Sequence, residues 1–215
     1  MALRNILDGE DPALAKTSRT VTDFNKRLHV LLDDMRETLL EANGLGLAAP
    51  QVGVLRRAVL IIDTDIESDG FEGQIVELIN PEFIARSGSE EASEGCLSLP
   101  GVYGIVKRPV MVKIKAQDRF GNEFEMLAKN LTARAICHEI DHLNGVIFTS
   151  LAERFLSEEE IKQIGEERKA AVAAGSHLND PAEEPAVYEN STAPETAGEK
   201  TAYNETNVAD KADKS

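Results

Sequence analysis

The sequence predicts a domain that combines α-helices with β-strands joined in hairpins. Apolar residues are placed as in helices near the N-terminus and around Ile136, and a capping box after Leu156 predicts a third helix. Short apolar or alternating runs between these segments are typical of strands. Two of these runs flank the loop 118–122, which is short enough for a β-hairpin.

Composition restricts the class of protein. The 215 residues include 23 Lys and Arg against 38 Asp and Glu, for a formal net charge of −15. Such an excess of acids argues against a nucleic-acid groove, which needs clustered basic residues. We find no signal peptide and no apolar run of about 18 residues, and two cysteines favour a reducing compartment. We therefore expect a cytoplasmic protein with no membrane partner and no sequence-specific nucleic-acid partner.

The chain divides into a folded domain and a tail. We predict the domain over residues 1–174, which is large enough for one hydrophobic core. Residues 175–215 are rich in Pro, Glu, Thr, Asn and Lys and poor in apolar side chains. Such a segment cannot bury enough apolar surface to fold, so we expect an acidic, disordered tail.

The first predicted helix spans residues 24–42. Thr22 or Asp23 can cap its start, and Asn43-Gly44 is a typical end. His29 lies off the apolar stripe, so we expect it at the surface. The stripe comprises Phe24, Leu28, Leu31, Leu32, Met35 and Leu39.

Strand-like segments and two further helices follow. The predicted strands are 58–62, 75–79, 103–106, 110–115 and 124–126, with an exposed loop at 65–73 and a turn at Pro100-Gly101. The second helix follows the last strand at once, and Asn130 or Thr132 can cap it. The third helix runs over residues 158–174 and ends at Gly175.

The second helix carries the H-E-x-x-H motif. At about 100° per residue, His138 and His142 lie on one face, where two imidazoles can bind one metal ion. Glu139 lies close enough to reach a metal-bound water without being a ligand. Cys137 points about 100° away from His138, and we predict it to be a small buried core residue. The motif alone also occurs by chance in acidic helices.

A catalytic site of this type needs a third ligand. Zinc-type catalytic sites have three protein ligands and an open position for water. In one protease class a third histidine follows the motif, but Phe148 occupies that position. In another class the third ligand is a downstream Glu, and residues 158–160 are all Glu. These residues belong to a capping box that starts at Ser157, which explains them without a metal. Of the two other histidines, His29 and His177, the latter is in the polar tail, and the remaining candidate is Cys96.

Residues 44–49 nominally fit the dinucleotide fingerprint G-x-G-x-x-A. That fingerprint follows a strand and opens a helix, whereas this stretch follows a predicted helix and runs into Pro50. A loop of small residues fits better, because glycines let backbone approach a substrate closely. The residues alone leave open whether Gln51, which could hold an oxyanion through its amide, belongs to a site.

Taken together, these stretches resemble the peptide deformylase family. The three ordered motifs are Gly44-Leu45-Gly46-Leu47-Ala48-Ala49-Pro50-Gln51, Glu94-Gly95-Cys96-Leu97-Ser98 and His138-Glu139-Ile140-Asp141-His142. Ile6-Leu7-Asp8 and Asp11-Pro12-Ala13-Leu14 match the usual opening of the family. The resemblance covers residues 3–165 and not the tail.

The resemblance implies an α+β fold with small antiparallel β-sheets around a central metal-binding helix, and with an N-terminal and a C-terminal helix. It implies a metal-dependent hydrolase that removes the N-formyl group from the formyl-methionine of newly synthesised polypeptides and releases formate. Nascent N-formylmethionyl peptides are then the substrate, and the ribosome near its exit tunnel is a partner. One divalent ion is implied, Fe²⁺ first, with Ni²⁺, Co²⁺ or Zn²⁺ as substitutes.

The resemblance also implies a function for individual residues. The implied metal ligands are Cys96, His138 and His142. The implied catalytic residues are Glu139 as the acid–base group, and the Gln51 amide and the Leu97 backbone N–H as oxyanion donors. The implied substrate-binding residues are Leu45, Gly46 and Gly95, whose backbone pairs with the extended peptide beside an apolar pocket for methionine. Asp141 either orients a ligand imidazole or is a solvated helix acid.

Two other functions share part of this pattern. A zincin-type endopeptidase has the same helix but needs the histidine that Phe148 replaces. A non-catalytic metal-binding relative would be expected to lack Glu139 or Gln51, and both are present.

Overall fold

The structure, a computed structural model, describes residues 2–64 and 75–173. The predicted loop 65–73 and the predicted tail 175–215 lie outside the described residues. The helices are α1 (Lys26–Glu41), α2 (Asn130–Leu143) and α3 (Glu158–Ala173). The strands are β1 (Gly46–Ala48), β2 (Ala58–Ile62), β3 (Ile75–Ser87), β4 (Glu90–Cys96), β5 (Leu99–Arg108), β6 (Met111–Gln117), β7 (Glu123–Lys129) and β8 (Arg154–Phe155).

The strands form two antiparallel sheets. One has the order β1-β2-β3-β6-β7 and the other the order β4-β5-β8, so β1 and β4 are edge strands. Helix α2 buries eleven of its fourteen residues, including Ile136, Ile140 and Leu143, against this framework. A helix that is buried on nearly all sides belongs at the centre of a domain. The predicted α+β fold with a central helix is therefore confirmed.

Helix α1 begins two residues later than predicted. Asn25 is its N-cap, and the Asn25 side chain accepts hydrogen bonds from the backbone N–H groups of Arg27 and Leu28. The prediction of Thr22 or Asp23 as the cap is therefore wrong. Only Asn25 has its side-chain oxygen within reach of the free N–H groups of the first turn.

Helix α2 has no side-chain cap of its own. Its N-cap is Lys129, and no side chain caps that position. The predicted caps fail for different reasons: Asn130 is itself the first helical residue, and the Thr132 hydroxyl contacts Thr64 and Asp63 instead. Thr132 thus fixes the helix to the chain that follows β2.

Strands β3, β4 and β5 differ from the predictions. Strand β3 continues through Asn80-Pro81, where the sequence predicted an end, because Asn80 adopts a φ of 52° and the register with β6 shifts there. Strand β4 was not predicted, since its polar sequence shows no alternation. The Pro100-Gly101 turn is also wrong, because both residues lie in β5 and the chain reverses at Leu97-Ser98.

Strand β1 lies in the stretch 44–49, where a loop was predicted, and the short strand β8 was not predicted. The predicted start of α3 is confirmed. Ser157 and Glu160 form the predicted capping box of α3, with Ser157 N–H donating to Glu160 and Glu160 N–H to the Ser157 hydroxyl. His29, which was predicted at the surface, is half-buried instead, because its Nε2 lies 2.8 Å from the Arg119 carbonyl oxygen. Within residues 2–64 and 75–173, no helix has both the length and the apolar character needed to cross a membrane.

Candidate metal centre

Three potential ligands converge between the sheets. Cys96 ends β4, while His138 and His142 project from one face of α2. Cys96 Sγ lies 3.2 Å from His142 Nε2, and one ligand atom from each of the three residues lies within 4.8 Å of the others. All three side chains are buried. A cluster of this size can surround a single ion.

The donor set fits a divalent transition metal. His138 Nδ1 lies 3.1 Å from Glu94 Oε2, so its Nε2 is the nitrogen left for a metal. His142 Nε2 faces the thiol of Cys96. One sulfur and two imidazole nitrogens suit zinc, iron, nickel or cobalt, and do not suit calcium or magnesium, which take oxygen ligands.

The two imidazoles have opposite electrostatic surroundings. Burial lowers the pKa of His138, but its hydrogen bonds to Cys96 and Glu94 outweigh burial and raise the pKa to about 10. Burial and the neighbouring charge of His138 lower the pKa of His142 to about 3. A metal ligand must be deprotonated, so binding of an ion must displace the proton of His138.

Glu139 lies beside the cluster without being part of it. The residue is 4% exposed, and its Oε2 has no hydrogen-bond partner among the described residues. Burial raises the pKa of the Glu139 carboxyl to about 7. A carboxyl with a pKa near neutrality can both accept and donate a proton.

Gln51 is oriented by its own turn. It lies in the 3₁₀ turn Ala49–Val52, and its Oε1 accepts a hydrogen bond from Ala48 N–H at 2.8 Å. Its Nε2 then points at the cluster, 3.5 Å from Cys96 Sγ and 3.4 Å from the Ser98 hydroxyl. The amide N–H groups therefore face the candidate ligand Cys96, where they can donate hydrogen bonds to a bound group.

A cavity of about 600 Å³ opens onto the cluster. It lies between the edges of β1 and β4, and α3 contributes Ile161 and Ile164 to its wall. Its lining includes the substrate-binding residues that the resemblance implies, Leu45, Gly46 and Gly95, together with Leu97. The structure thus brings every predicted site residue to one cavity and its floor.

Glu94 is a site residue that sequence reasoning did not single out. Its Oε2 contacts His138 Nδ1, whereas Asp141 contacts Arg108 Nη1 at 2.6 Å and no imidazole. Asp141 therefore does not orient a ligand ring directly. Burial raises the pKa of Glu94, but hydrogen bonds from His138 and Arg108 outweigh it and lower the pKa to about 2. The available signal was its position two residues before Cys96.

Two neighbouring residues, Phe148 and Cys137, were considered as alternative metal ligands, and the structure argues against both. Phe148, which stands where a zincin has its third histidine, is buried with its ring 5.9 Å from that of His138. It packs against the candidate ligand His138, and its phenyl ring has no atom that could bind a metal. Cys137 is buried, as predicted, and burial raises the pKa of its thiol to about 11, so it remains a neutral packing group.

Comparisons with known proteins agree on one family. The sequence profile described as "Polypeptide deformylase" matches residues 3–156. A peptide deformylase of Caldicellulosiruptor bescii is 57% identical over 163 residues, which are 76% of this chain and 93% of that protein. A peptide deformylase of Alkaliphilus metalliredigens is 52% identical over 149 residues, covering 69% of this chain and 96% of that protein.

Solved structures give the same result. A peptide deformylase of Legionella pneumophila superposes with a TM-score of 0.65 at 36% identity, covering 80% of this chain and 98% of that one. A Met-Ala-Ser-bound class I type b peptide deformylase of Acinetobacter baumannii has a TM-score of 0.64 at 30% identity, covering 70% and 98%.

Proposed function

Because the chain belongs to the polypeptide deformylase family and removes the N-formyl group from newly synthesised polypeptides, we propose that Cys96, His138 and His142 bind the one divalent metal ion of this hydrolase. When bound, the ion supplies a Lewis acid and lowers the pKa of water. The finer proposal is Fe²⁺, with Ni²⁺, Co²⁺ or Zn²⁺ as substitutes. The thiolate and imidazole donors are compatible with all four ions.

Glu139 moves the proton in this proposal. It accepts a proton from the attacking water and passes it to the amine nitrogen as the C–N bond breaks, leaving formate and a free N-terminus. Its burial, its pKa of about 7 and its position beside the cluster support this role. The charge that develops on the formyl oxygen is stabilised by N–H groups of the Gln51 amide and the Leu97 backbone.

The peptide binds between two sheet edges. The backbone of Leu45, Gly46 and Gly95 lines the cavity on the exposed edges of β1 and β4, where an extended chain can add hydrogen bonds. A Cβ atom at Gly46 would collide with the Glu139 carboxyl group, and one at Gly95 would collide with the ring of Tyr103, so both positions need glycine. The methionine side chain enters the apolar part of the cavity, which Leu131 and Ala135 of α2 line.

The proposal also covers the extent of the catalytic domain, the compartment and an association with the ribosome. We assign catalysis to residues 1–174, because the profile match covers residues 3–156 and α3, which follows, contributes Ile161 and Ile164 to the cavity. We propose that the enzyme acts in the cytoplasm on chains that emerge from the exit tunnel, because its substrate is the N-terminus of a newly made chain. Co-sedimentation of the full chain with ribosomes tests this association.

One observation supports the site assignment most strongly. Cys96, His138 and His142 converge beside the buried carboxyl group of Glu139, whose Oε2 has no hydrogen-bond partner among the described residues. The test is formate release from formyl-Met-Ala-Ser by nickel-loaded wild-type protein and by Glu139→Gln. We expect the variant to keep its metal and lose about 10²–10⁴-fold in kcat.

Glu123→Gln on β7 is the matched control, since Glu123 is an exposed carboxylate that pairs with Lys115 and does not line the cavity. It should behave as wild type. A metal-loaded Glu139→Gln enzyme with normal turnover would remove Glu139 from the mechanism. Cleavage of casein would instead favour an endopeptidase.

A further inference from the structure

A chain of charged side chains leads from Asp141 to the candidate ligand His138. Asp141 Oδ2 accepts a hydrogen bond from Arg108 Nη1 at 2.6 Å. Arg108 then donates from Nε and Nη2 to the two oxygens of Glu94, at 2.8 Å and 3.0 Å. Glu94 Oε2 lies 3.1 Å from His138 Nδ1. The side chains of Arg108, Glu94 and His138 are 10% exposed or less, and that of Asp141 is 24% exposed.

We propose that Asp141 is a positioning residue for the metal centre, which it controls through Arg108 and Glu94. This inference rests on the proposed function, because it concerns the orientation of a proposed ligand. Arg108 binds both oxygens of Glu94, and a bidentate pair fixes the plane of the carboxylate as well as its position. Asp141 binds the outer nitrogen of the same guanidinium, so the planar group is held between two carboxylates and cannot rotate.

The contacts close a loop between elements. His138 and Asp141 stand three residues apart on α2 and so are neighbours on its surface. Arg108 ends β5, and Glu94 lies on β4. The path therefore leaves α2 at Asp141, crosses both strands and returns to α2 at His138. Rotation of the imidazole is resisted from two points of its own helix.

Arg134 does not duplicate this function. Its Nη1 donates to Glu94 Oε1 at 3.0 Å, but the same guanidinium also donates to the backbone carbonyl groups of Ala92, Val106 and Glu90. Those contacts fix β4 and β5 to α2. Arg134 thus binds one oxygen of Glu94 directly from α2, whereas Arg108 binds both oxygens from β5 and is itself held by Asp141.

The experiment compares Asp141→Ala with wild type in the cobalt-loaded form. We expect altered visible absorption bands, which report ligand geometry, and loss of cobalt to a chelator about tenfold faster. Turnover of formyl-Met-Ala-Ser should fall in kcat with little change in KM, since Asp141 touches no substrate. Asp141→Glu, which restores the carboxylate, should recover part of the wild-type spectrum.

Asp33→Ala is the matched control. It removes a partly exposed carboxylate whose partner is Arg119, at 2.9 Å, away from the cavity, so spectrum and cobalt release should not change. If Asp141→Ala does not fold, Arg108→Lys is the second variant, because lysine keeps the charge without the bidentate geometry. It should shift the spectrum in the same way.

The outcomes separate the two proposals. A folded Asp141→Ala protein with the wild-type spectrum and wild-type cobalt release would overturn the positioning role of Asp141 and leave the metal assignment intact. Wild-type protein that fails to bind cobalt would overturn the metal assignment itself.

Discussion

The two cysteines differ only in their surroundings. Cys96 contacts an imidazole nitrogen of His142 and the amide of Gln51, whereas Cys137 lies among apolar residues of the core cluster behind α2. Both side chains are buried, so exposure does not distinguish a ligand from a packing group. The available signal in the sequence was the need for a third ligand.

Cys96→Ser and Cys137→Ser should therefore have opposite effects. Replacing Cys96 exchanges a soft thiolate for a poor hydroxyl donor, so metal content and formate release should both fall steeply. Cys137→Ser should keep the metal and cost about 1 kcal/mol or more of unfolding free energy, because it buries a hydroxyl in place of a thiol. Metal analysis with urea unfolding separates the two effects. Full metal content in Cys96→Ser would refute the three-ligand assignment.

Position 46 must be glycine because its backbone lies against the side chain of Glu139. A Cβ atom at position 46 would lie 2.6 Å from Glu139 Oε1 and 2.7 Å from Glu139 Cγ, which is too close for either atom to remain in place. Gly46→Ala should displace the carboxyl group while leaving the ligands where they are. We expect a fall in kcat of about 10²-fold with normal metal content. Unchanged turnover in the metal-loaded variant would mean that the position of Glu139 is not critical.

At the scale of elements, the sequence predicted what local periodicity determines. The three helices and strands β2 and β6 agree with their predicted positions, because their patterns persist over enough residues. Strand β4 was not predicted, because it is a polar edge strand without an alternating apolar pattern. The length of β3 was predicted too short, because Asn80 adopts a positive φ and the strand continues beyond Pro81.

The candidate site was predictable in part for the same reason. Its ligands occur in short motifs whose chemistry can be read locally. The ion pairs of Glu94 with Arg108 and Arg134 depend on how β4, β5 and α2 are brought together, and no local pattern reveals that register. The Glu94 carboxylate could therefore be assigned only from the fold.

The N-terminal segment is attached to α1 through Asp34. Its carboxylate accepts hydrogen bonds from Ala2 N–H at 2.8 Å and from Arg4 Nη2 at 3.0 Å. The Ala2 hydrogen bond outweighs burial and, with Arg4, lowers the pKa of Asp34 below its ordinary value of 3.8. A lowered folded pKa stabilises the fold above the unfolded pKa, and this stabilisation is lost as pH falls through the folded value.

Asp34→Asn should therefore lower the unfolding free energy by about 1 kcal/mol at pH 7. The difference from wild type should stay constant down to the ordinary value of 3.8 and shrink as pH falls further. Urea unfolding at pH 7, 5 and 3 measures it. Asp33→Asn breaks a more exposed ion pair with Arg119 and should cost less. A gap that widens in acid would contradict the assignment.

At the scale of the whole molecule, the candidate site draws on both sheets and on α2. Cys96 comes from the smaller sheet, Gly46 from the edge of the larger one, and His138 from the helix between them. Such a centre exists only when the whole domain is folded. The profile match ends at residue 156, before α3, yet Ile161 and Ile164 of α3 line the cavity.

Two truncations distinguish the contribution of α3 from that of the tail. Removal of residues 176–215 deletes nine acids, three lysines and few apolar residues. Such a segment has too little apolar surface to add to a core, so Tm and turnover of formyl-Met-Ala-Ser should not change. Truncation after Ser157 also removes α3 and one wall of the cavity, so KM for peptides should rise about tenfold while the bound metal is retained. A large loss of Tm or turnover on removing residues 176–215 alone would show that the tail packs on the domain. An unchanged KM after the deeper truncation would mean that the isoleucines of α3 do not contact the peptide.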